Sequence, residues 1–166
     1  MADNSSDNER IDFVIPWVDG SDPEWLKERN AVSSEGGCGS DSLKNGDSME
    51  DNSGARYYSW DNLQYWFRGV EKFAPWVNKI HFVTWGHIPP WMNTDAPKLH
   101  IVNHKDYIPG QFLPTFNSNT IELNFHRIEG LSEKFVYFND DVFLLKPAAK
   151  EDFFRNGRPC DMLAFQ

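Results

Sequence analysis

Short apolar runs alternate with helix-like segments along this 166-residue chain, and that alternation constrains the fold more than any other feature. Helices between strands favour a mostly parallel sheet covered on both faces, which is an α/β fold. In such sheets, ligands bind beyond the carboxyl ends of the strands. Runs rich in β-branched and aromatic residues predict strands at Ile11–Val18, Lys79–Trp85, Leu99–Asn103 and Lys134–Phe138, with a further one at Asp161–Phe165.

Two helices are predicted between the first two strands. The first begins at Pro23, because Asp22 is a typical N-cap directly before a proline at the first helical position. The second spans Ser59–Phe73, where apolar residues recur three or four positions apart, and Pro75 lies just beyond its end.

A third helix is predicted to begin at a cap formed by Ser118 or Asn119 and to end at Gly130. Glu122 and His126 lie four residues apart on it, which places their side chains on neighbouring ridges. That spacing permits acid–base cooperation, and it also permits an ordinary surface pair.

The segment Ser33–Gly54 is rich in glycine, serine and acidic residues and has almost no large apolar side chains. Long segments of this kind are lids, binding loops or solvated insertions. We predict a mobile insertion at 33–54 inside a single α/β domain spanning 11–166, preceded by a polar tail at 1–10. Cys38 and Cys160 are far apart in sequence and are expected to be free thiols.

Charge and hydropathy exclude several classes of protein. Sixteen basic and 25 acidic residues give a net charge of −9, and no Lys/Arg run could follow a phosphate backbone, so no nucleic-acid binding is expected. No apolar run approaches the ~20 residues that a membrane span needs. The polar, acidic start lacks the features of a signal peptide, so the predicted location is cytoplasmic. An anionic partner such as a nucleotide diphosphate would need a divalent cation between its phosphates and the carboxylates.

Three polar residues, Asn139, Asp140 and Asp141, directly follow the most apolar predicted strand. Carboxylates at this edge suit a hard divalent cation, although adjacent side chains in extended chain point to opposite sides, so only one would face a given pocket. An Asn-Asp turn leading into a second apolar run, Val142–Leu145, is an equally good interpretation.

The loop after the first predicted strand contains Asp19, Gly20 and Asp22 and lies at the same predicted edge. Asp22 is most simply a helix cap. Trp17 is compatible with stacking on a base and with a core position. The remaining histidines have no zinc-ligand spacing with cysteines, and motifs of serine hydrolases, P-loop ATPases and dinucleotide-binding proteins do not occur.

Several ordered segments resemble the Stealth family. IDFVIPWVDGSDPEW, at Ile11–Trp25, resembles the first sequence block of that family. Arg56–Trp91, His100–Pro109 and Leu113–Leu145 resemble the second block, with LPTF, IE, HRIEGLS and NDDV in order. The family includes bacterial capsular polysaccharide phosphotransferases and the lysosomal-enzyme N-acetylglucosamine-1-phosphotransferase.

This resemblance implies transfer of a sugar 1-phosphate from a UDP-sugar, such as UDP-N-acetylglucosamine, to a hydroxyl of an acceptor glycan, with release of UMP. It implies a fold similar to GT-A-like nucleotide-sugar transferases, Mg²⁺ or Mn²⁺ as cofactor, and peripheral association with a polysaccharide-synthesis complex. Family members continue into further blocks, so the domain is expected to be incomplete at its C-terminus. The alternatives are a metal-dependent glycosyltransferase that releases UDP and a catalytically silent nucleotide-sugar-binding fragment.

Residue roles also follow from the resemblance. Asp140 and Asp141 would hold the metal, Glu122 would position or deprotonate the acceptor hydroxyl, and His126 and Arg127 would contact phosphate or orient Glu122. The nucleotide-sugar pocket would be lined by Trp17, Asp19, Gly20, Asp22 and Arg56.

Overall fold

The computed structural model describes residues 10–34 and 61–161. Its main sheet has four parallel strands in the order β3-β2-β1-β4. The strands are β1 (Ile11–Trp17), β2 (Ile80–Thr84), β3 (Leu99–Asn103) and β4 (Lys134–Tyr137), which confirms the predicted α/β fold with a parallel sheet. Of the fifth predicted strand, Asp161–Phe165, residues 162–165 lie outside the described residues.

The five α-helices of the described residues are α1 (Pro23–Ser34), α2 (Leu63–Phe73), α3 (His104–Tyr107), α4 (Ser118–Leu123) and α5 (Lys150–Phe153). Asp22 caps α1 as predicted, because its Oδ1 accepts the backbone N–H groups of Glu24 at 2.9 Å and Trp25 at 3.0 Å. None of the helices in these two described ranges is long and apolar enough to cross a membrane.

The sheet is covered on both faces, because successive side chains of a strand point to opposite sides. One face packs against α2, whose Leu63, Trp66 and Val70 are buried, as their spacing predicts. The other face carries Val14, Val83 and Val102 against α3 and the segment around Phe125 and Ile128. The loops at the strand ends are therefore held from both sides.

The third predicted helix is shorter than its apolar spacing indicates. The cap is Asn117, not Ser118 or Asn119, since its Oδ1 accepts the N–H groups of Asn119 at 2.8 Å and Thr120 at 3.3 Å. The α-helix ends at Leu123, and a 3-10 helix at Phe125–Arg127 follows. The break still lets both Phe125 and Ile128 reach the second face of the sheet, which local periodicity does not reveal. Gly130 has the expected left-handed backbone (φ 72°), but it follows this 3-10 segment.

The sequence analysis did not predict a small antiparallel hairpin, which consists of β5 (Phe154–Arg155) and β6 (Arg158–Pro159). Asn156 and Gly157 form its turn with φ values of 51° and 78°. Asn-Gly is a strong sequence signal for this type of hairpin turn. Cys160 beyond it is an exposed free thiol, as predicted, whereas Cys38 lies outside the described residues.

The predicted insertion at 33–54 is described only at its beginning. Helix α1 continues through Ser34, so the first two residues of the segment are helical. The rest of the insertion, residues 35–54, lies outside the described residues, as does the polar tail except for Arg10.

A fully buried carboxylate, Asp12, fastens the amino-terminal half of the sheet. Its oxygens accept the Asn78 side-chain amide at 2.7 Å, the Lys79 N–H at 3.0 Å and the Ser132 N–H at 2.8 Å, and contact His81 Nε2 at 3.1 Å. Burial by itself raises the pKa of Asp12, but the hydrogen bonds from His81, Asn78 and Ser132 outweigh it and lower the pKa to about 2. Asp12 therefore stays ionised and joins β1 to the segments that enter β2 and β4.

Candidate functional site

The carboxyl ends of the strands lie together at one edge of the sheet. Trp17 pairs with Thr84 and Thr84 with Asn103, so β1, β2 and β3 end at the same level. Strand β4 ends at Tyr137, whose register partner on β1 is Val14. The loops after β1 and β4 carry Asp19, Gly20, Asp22, Asp140 and Asp141, which are half of the predicted site residues, and parallel sheets bind ligands at such an edge.

Asp140 and Asp141 form the two central positions of a β-turn. The N–H of Val142 donates to the carbonyl of Asn139 at 3.1 Å, which closes the turn. The chain is therefore not extended here, and the expectation that adjacent carboxylates point to opposite sides does not apply. An Asn-Asp turn leading into a second strand is the alternative interpretation of this segment. The turn is present, but Val142–Leu145 pairs with no strand among the described residues, so no hairpin forms there.

The Tyr137 phenol connects this turn to α4. Its hydroxyl donates to Oε1 of Glu122 at 3.0 Å and also contacts the side-chain amide of Asn139. A phenol has one proton to donate, so both contacts are satisfied when the Asn139 amide presents its nitrogen to the hydroxyl oxygen. Burial raises the pKa of Tyr137, and the charges of Glu122, Asp140 and Asp141 raise it further. Glu122 and both aspartates thus share one electrostatic environment.

Negative charge is concentrated at the turn. Partial desolvation raises the pKa of Asp140, and the neighbouring carboxylate of Asp141 raises it further, because a like charge at short range disfavours the ionised form of Asp140. A cation bound between them would remove this repulsion.

The position of Glu122 is set by helix α4 and not by a contact with His126. The carbonyl of the adjacent Ile121 accepts a hydrogen bond from the Tyr107 hydroxyl at 3.1 Å, which ties α4 to α3. His126 is exposed on the 3-10 helix, where its Nδ1 contacts the Leu123 carbonyl at 2.9 Å, and Arg127 is exposed as well. Glu122 and His126 are therefore not on one helix, and the predicted i, i+4 relation between them is wrong.

The loop after β1 is a tight turn built on Asp19. Its Oδ1 accepts the Ser21 N–H at 2.9 Å and the Ser21 hydroxyl at 2.6 Å, and Gly20 lies between them. Trp17 is half-buried and stacks on Phe82 with ring centroids 5.8 Å apart, so it belongs to the border of the core as well as to the edge of the site. Arg56 lies outside the described residues.

Two histidines missed by the sequence analysis lie at this edge. His87, in the loop after β2, accepts the Asp19 N–H on Nε2 at 2.7 Å. His104 begins α3 directly after β3, and burial together with the nearby His87 lowers its pKa to about 4. Zinc-ligand spacing does not single them out, although each lies in the segment after a strand, which is the signal that identified Asp19 and Asp140.

The donor set at the turn fits a hard divalent cation that takes only part of its shell from protein. Carboxylate and amide oxygens are what Mg²⁺ and Mn²⁺ prefer, and Mg²⁺ commonly binds one or two carboxylates together with substrate phosphates and water. Among residues 10–34 and 61–161, no three His, Cys, Asp or Glu side chains form a ready cation site. The described residues therefore offer a cation only part of its shell, and such ions complete it with water and substrate phosphates.

The parallel sheet with acidic groups at its carboxyl edge places this chain among the α/β domains, which as a class bind ligands at that edge. Residues 9–37 match the model of Stealth protein CR1, conserved region 1, and residues 56–161 match that of Stealth protein CR2, conserved region 2. The chain belongs to the Stealth family.

Curated relatives are polysaccharide phosphotransferases by name. The chain is 48% identical over 153 residues to the capsular polysaccharide phosphotransferase WcwK of Streptococcus pneumoniae, covering 92% of this chain and 43% of that protein. It is 46% identical over 149 residues to eps5J of Streptococcus thermophilus (90% and 59%), a capsular polysaccharide phosphotransferase. It is 48% identical over 145 residues to the receptor polysaccharide phosphotransferase WefC of Streptococcus oralis (87% and 41%). The chain therefore spans between about two fifths and three fifths of the length of these relatives.

Proposed function

We propose that this domain binds a UDP-sugar and contributes to transfer of the sugar 1-phosphate to a hydroxyl of a polysaccharide, with release of UMP. The observation that carries the proposal is the shared environment of Glu122, Tyr137 and the turn aspartates at the carboxyl edge of the sheet. The phosphotransferase names of the relatives support the reaction class.

In this proposal, Glu122 handles the acceptor. The acceptor oxygen attacks the β-phosphorus, the bond from that phosphorus to the bridging oxygen breaks, and the electron pair leaves on UMP. Glu122 takes the hydroxyl proton as the new phosphorus–oxygen bond forms. The hydrogen bond from Tyr137 to Oε1 holds the carboxylate in place, so that its other oxygen is available to the acceptor.

Asp141, together with Asp140, is the proposed holder of Mg²⁺ or Mn²⁺. When bound, the cation supplies neutralisation of the charge on the diphosphate oxygens. The loop Asp19–Asp22 and the edge of Trp17 are proposed to receive the nucleotide, and the exposed His126 and Arg127 are proposed phosphate contacts.

Product analysis tests the bond that is broken. The 166-residue chain, incubated with Mn²⁺, UDP-N-acetylglucosamine and a capsular oligosaccharide acceptor, is expected to release UMP and to join N-acetylglucosamine 1-phosphate to the acceptor through a phosphodiester. Nucleotides separated by ion-exchange chromatography and ³¹P NMR of the acceptor are the measurements. UDP as the product would contradict phosphotransfer in favour of sugar transfer, and binding without any product would assign this chain a binding role only.

A further inference from the structure

His87 is held in one tautomer by the loop it supports. Its Nε2 accepts the backbone N–H of Asp19 at 2.7 Å, so Nε2 carries no proton and the proton of the neutral ring is on Nδ1. That Nδ1 is buried, has no hydrogen-bond partner, and lies 3.6 Å from Oδ2 of Asp22. The ring therefore spans the loop, from the first residue of the turn to the cap of α1.

Aromatic rings fix the orientation of this imidazole. Trp17 lies edge-to-face with it at 5.2 Å between ring centroids, and Trp85 packs against it in a tilted arrangement at 5.7 Å. The hydroxyl of Thr84 donates to the His87 carbonyl at 2.7 Å, which anchors its backbone to the end of β2. The His87 side chain is only 11% exposed, so it is part of the packed structure beneath the loop and not a surface residue.

We propose that His87 is a positioning residue, which as a neutral imidazole holds the loop Asp19–Asp22 in the shape that receives the nucleotide, and whose protonation releases that loop. The inference rests on the proposed function, because it deepens the role assigned to this loop in donor binding. His87 itself is not assigned a contact with the donor.

Protonation has a defined structural consequence. A proton on Nε2 converts the acceptor of the Asp19 N–H into a donor, so the 2.7 Å bond is lost and two N–H groups face each other. Burial lowers the pKa of His87 from 6.5, and the carboxylates of Asp22 and Asp19 offset part of that effect. Among the described residues, the charged and titratable groups near the ring are Asp19 and Asp22 from the β1–α1 loop and His104 from α3. Glu28 of α1 accepts a hydrogen bond from the indole of Trp85, which packs against the ring.

The direction of the pH dependence follows from the lowered pKa. The neutral ring is favoured in the folded loop, so its support is complete above pH 6.5 and is lost as pH falls through the pKa of the folded protein. The affinity for the donor is therefore expected to fall as the pH is lowered below 6.5 and His87 becomes protonated.

Two substitutions separate the hydrogen-bond acceptor at position 87 from the protonation of the imidazole. His87→Gln keeps an acceptor oxygen close to the position of Nε2 but does not titrate, whereas His87→Leu keeps bulk and removes the acceptor. His100→Gln is the matched control, because His100 lies near the amino end of β3, remote from this loop. The probes are UDP with Mn²⁺ by calorimetry at pH 7.5 and 5.5, and NMR for the Asp19 amide exchange and the His87 tautomer.

At pH 7.5, His87→Leu is expected to weaken UDP binding by about tenfold or more and to speed exchange of the Asp19 amide by a similar factor. His87→Gln should retain both properties and lose less UDP affinity at pH 5.5 than the wild type does. His100→Gln should follow the wild type at both pH values.

Three results would overturn the inference: His87→Leu changes neither UDP affinity nor Asp19 amide exchange, His87→Gln behaves like His87→Leu, or the wild-type ring carries its proton on Nε2 at pH 7.5. If the wild type binds no UDP while Asp19 exchange and the tautomer behave as expected, the His87 support stands and the proposed donor-binding function fails. The exchange and tautomer data thus distinguish the two failures.

Discussion

Asp141→Ala is expected to weaken Mn²⁺-dependent binding of UDP-N-acetylglucosamine by about 100-fold or more, since even residues that only orient metal ligands change metal affinity 10- to 100-fold. Asp141 is exposed in a turn closed by backbone atoms, so the substitution should leave folding intact. Calorimetric titration of the sugar nucleotide with and without Mn²⁺ is the measurement.

Asp95→Ala is the matched control, because Asp95 is an exposed loop aspartate between β2 and β3. Its affinity should equal that of the wild type, so that general loss of negative charge is separated from loss of a ligand. Wild-type affinity in Asp141→Ala would remove Asp141 from the metal site.

The second large effect concerns stability. Asp12→Ala is expected to lower the free energy of unfolding by about 3–5 kcal/mol, because several buried hydrogen-bond donors lose their acceptor and each costs about 1–3 kcal/mol. The substitution leaves the N–H groups of Lys79 and Ser132 and the Asn78 amide without their buried acceptor. Urea denaturation followed by circular dichroism at pH 7 measures the change.

Acid should remove part of this stabilisation from the wild type. The pKa of Asp12 is lowered from 3.8 to about 2, so its stabilisation is present above pH 3.8 and declines as pH falls from there toward 2. Asp12→Ala should lack this part of the acid transition, and Asp95→Ala should keep it. A loss of under 1 kcal/mol for Asp12→Ala at pH 7 would show that the network does not fasten the sheet.

Sequence patterns predicted the sheet well, because strand signals are local. The runs beginning at Ile11, Lys79, Leu99 and Lys134 form four parallel strands, and the cap at Asp22 formed as expected. Placing Asp19, Asp140 and Asp141 at one edge required only that the strands be parallel.

Features set by tertiary contacts could not be read from the sequence. The break after Leu123 depends on how Phe125 meets the second face of the sheet, and no local pattern reports that packing. The bond from Asp19 to His87 joins residues 68 positions apart, so neither residue's neighbours indicate it. The proximity of Tyr137 to Glu122 likewise follows from where α4 lies beside β4.

The proposed function depends on a divalent cation bound at the turn of Asp140 and Asp141, which would also hold a diphosphate. Paramagnetic broadening by Mn²⁺ tests it most directly, because the ion broadens only nearby NMR signals. With UDP present, substoichiometric Mn²⁺ is predicted to broaden first the backbone signals of Asn139–Val142, Tyr137 and Glu122. Without UDP, the same amount of Mn²⁺ is predicted to broaden these signals much less. Broadening that begins elsewhere, or that ignores UDP, would contradict the account.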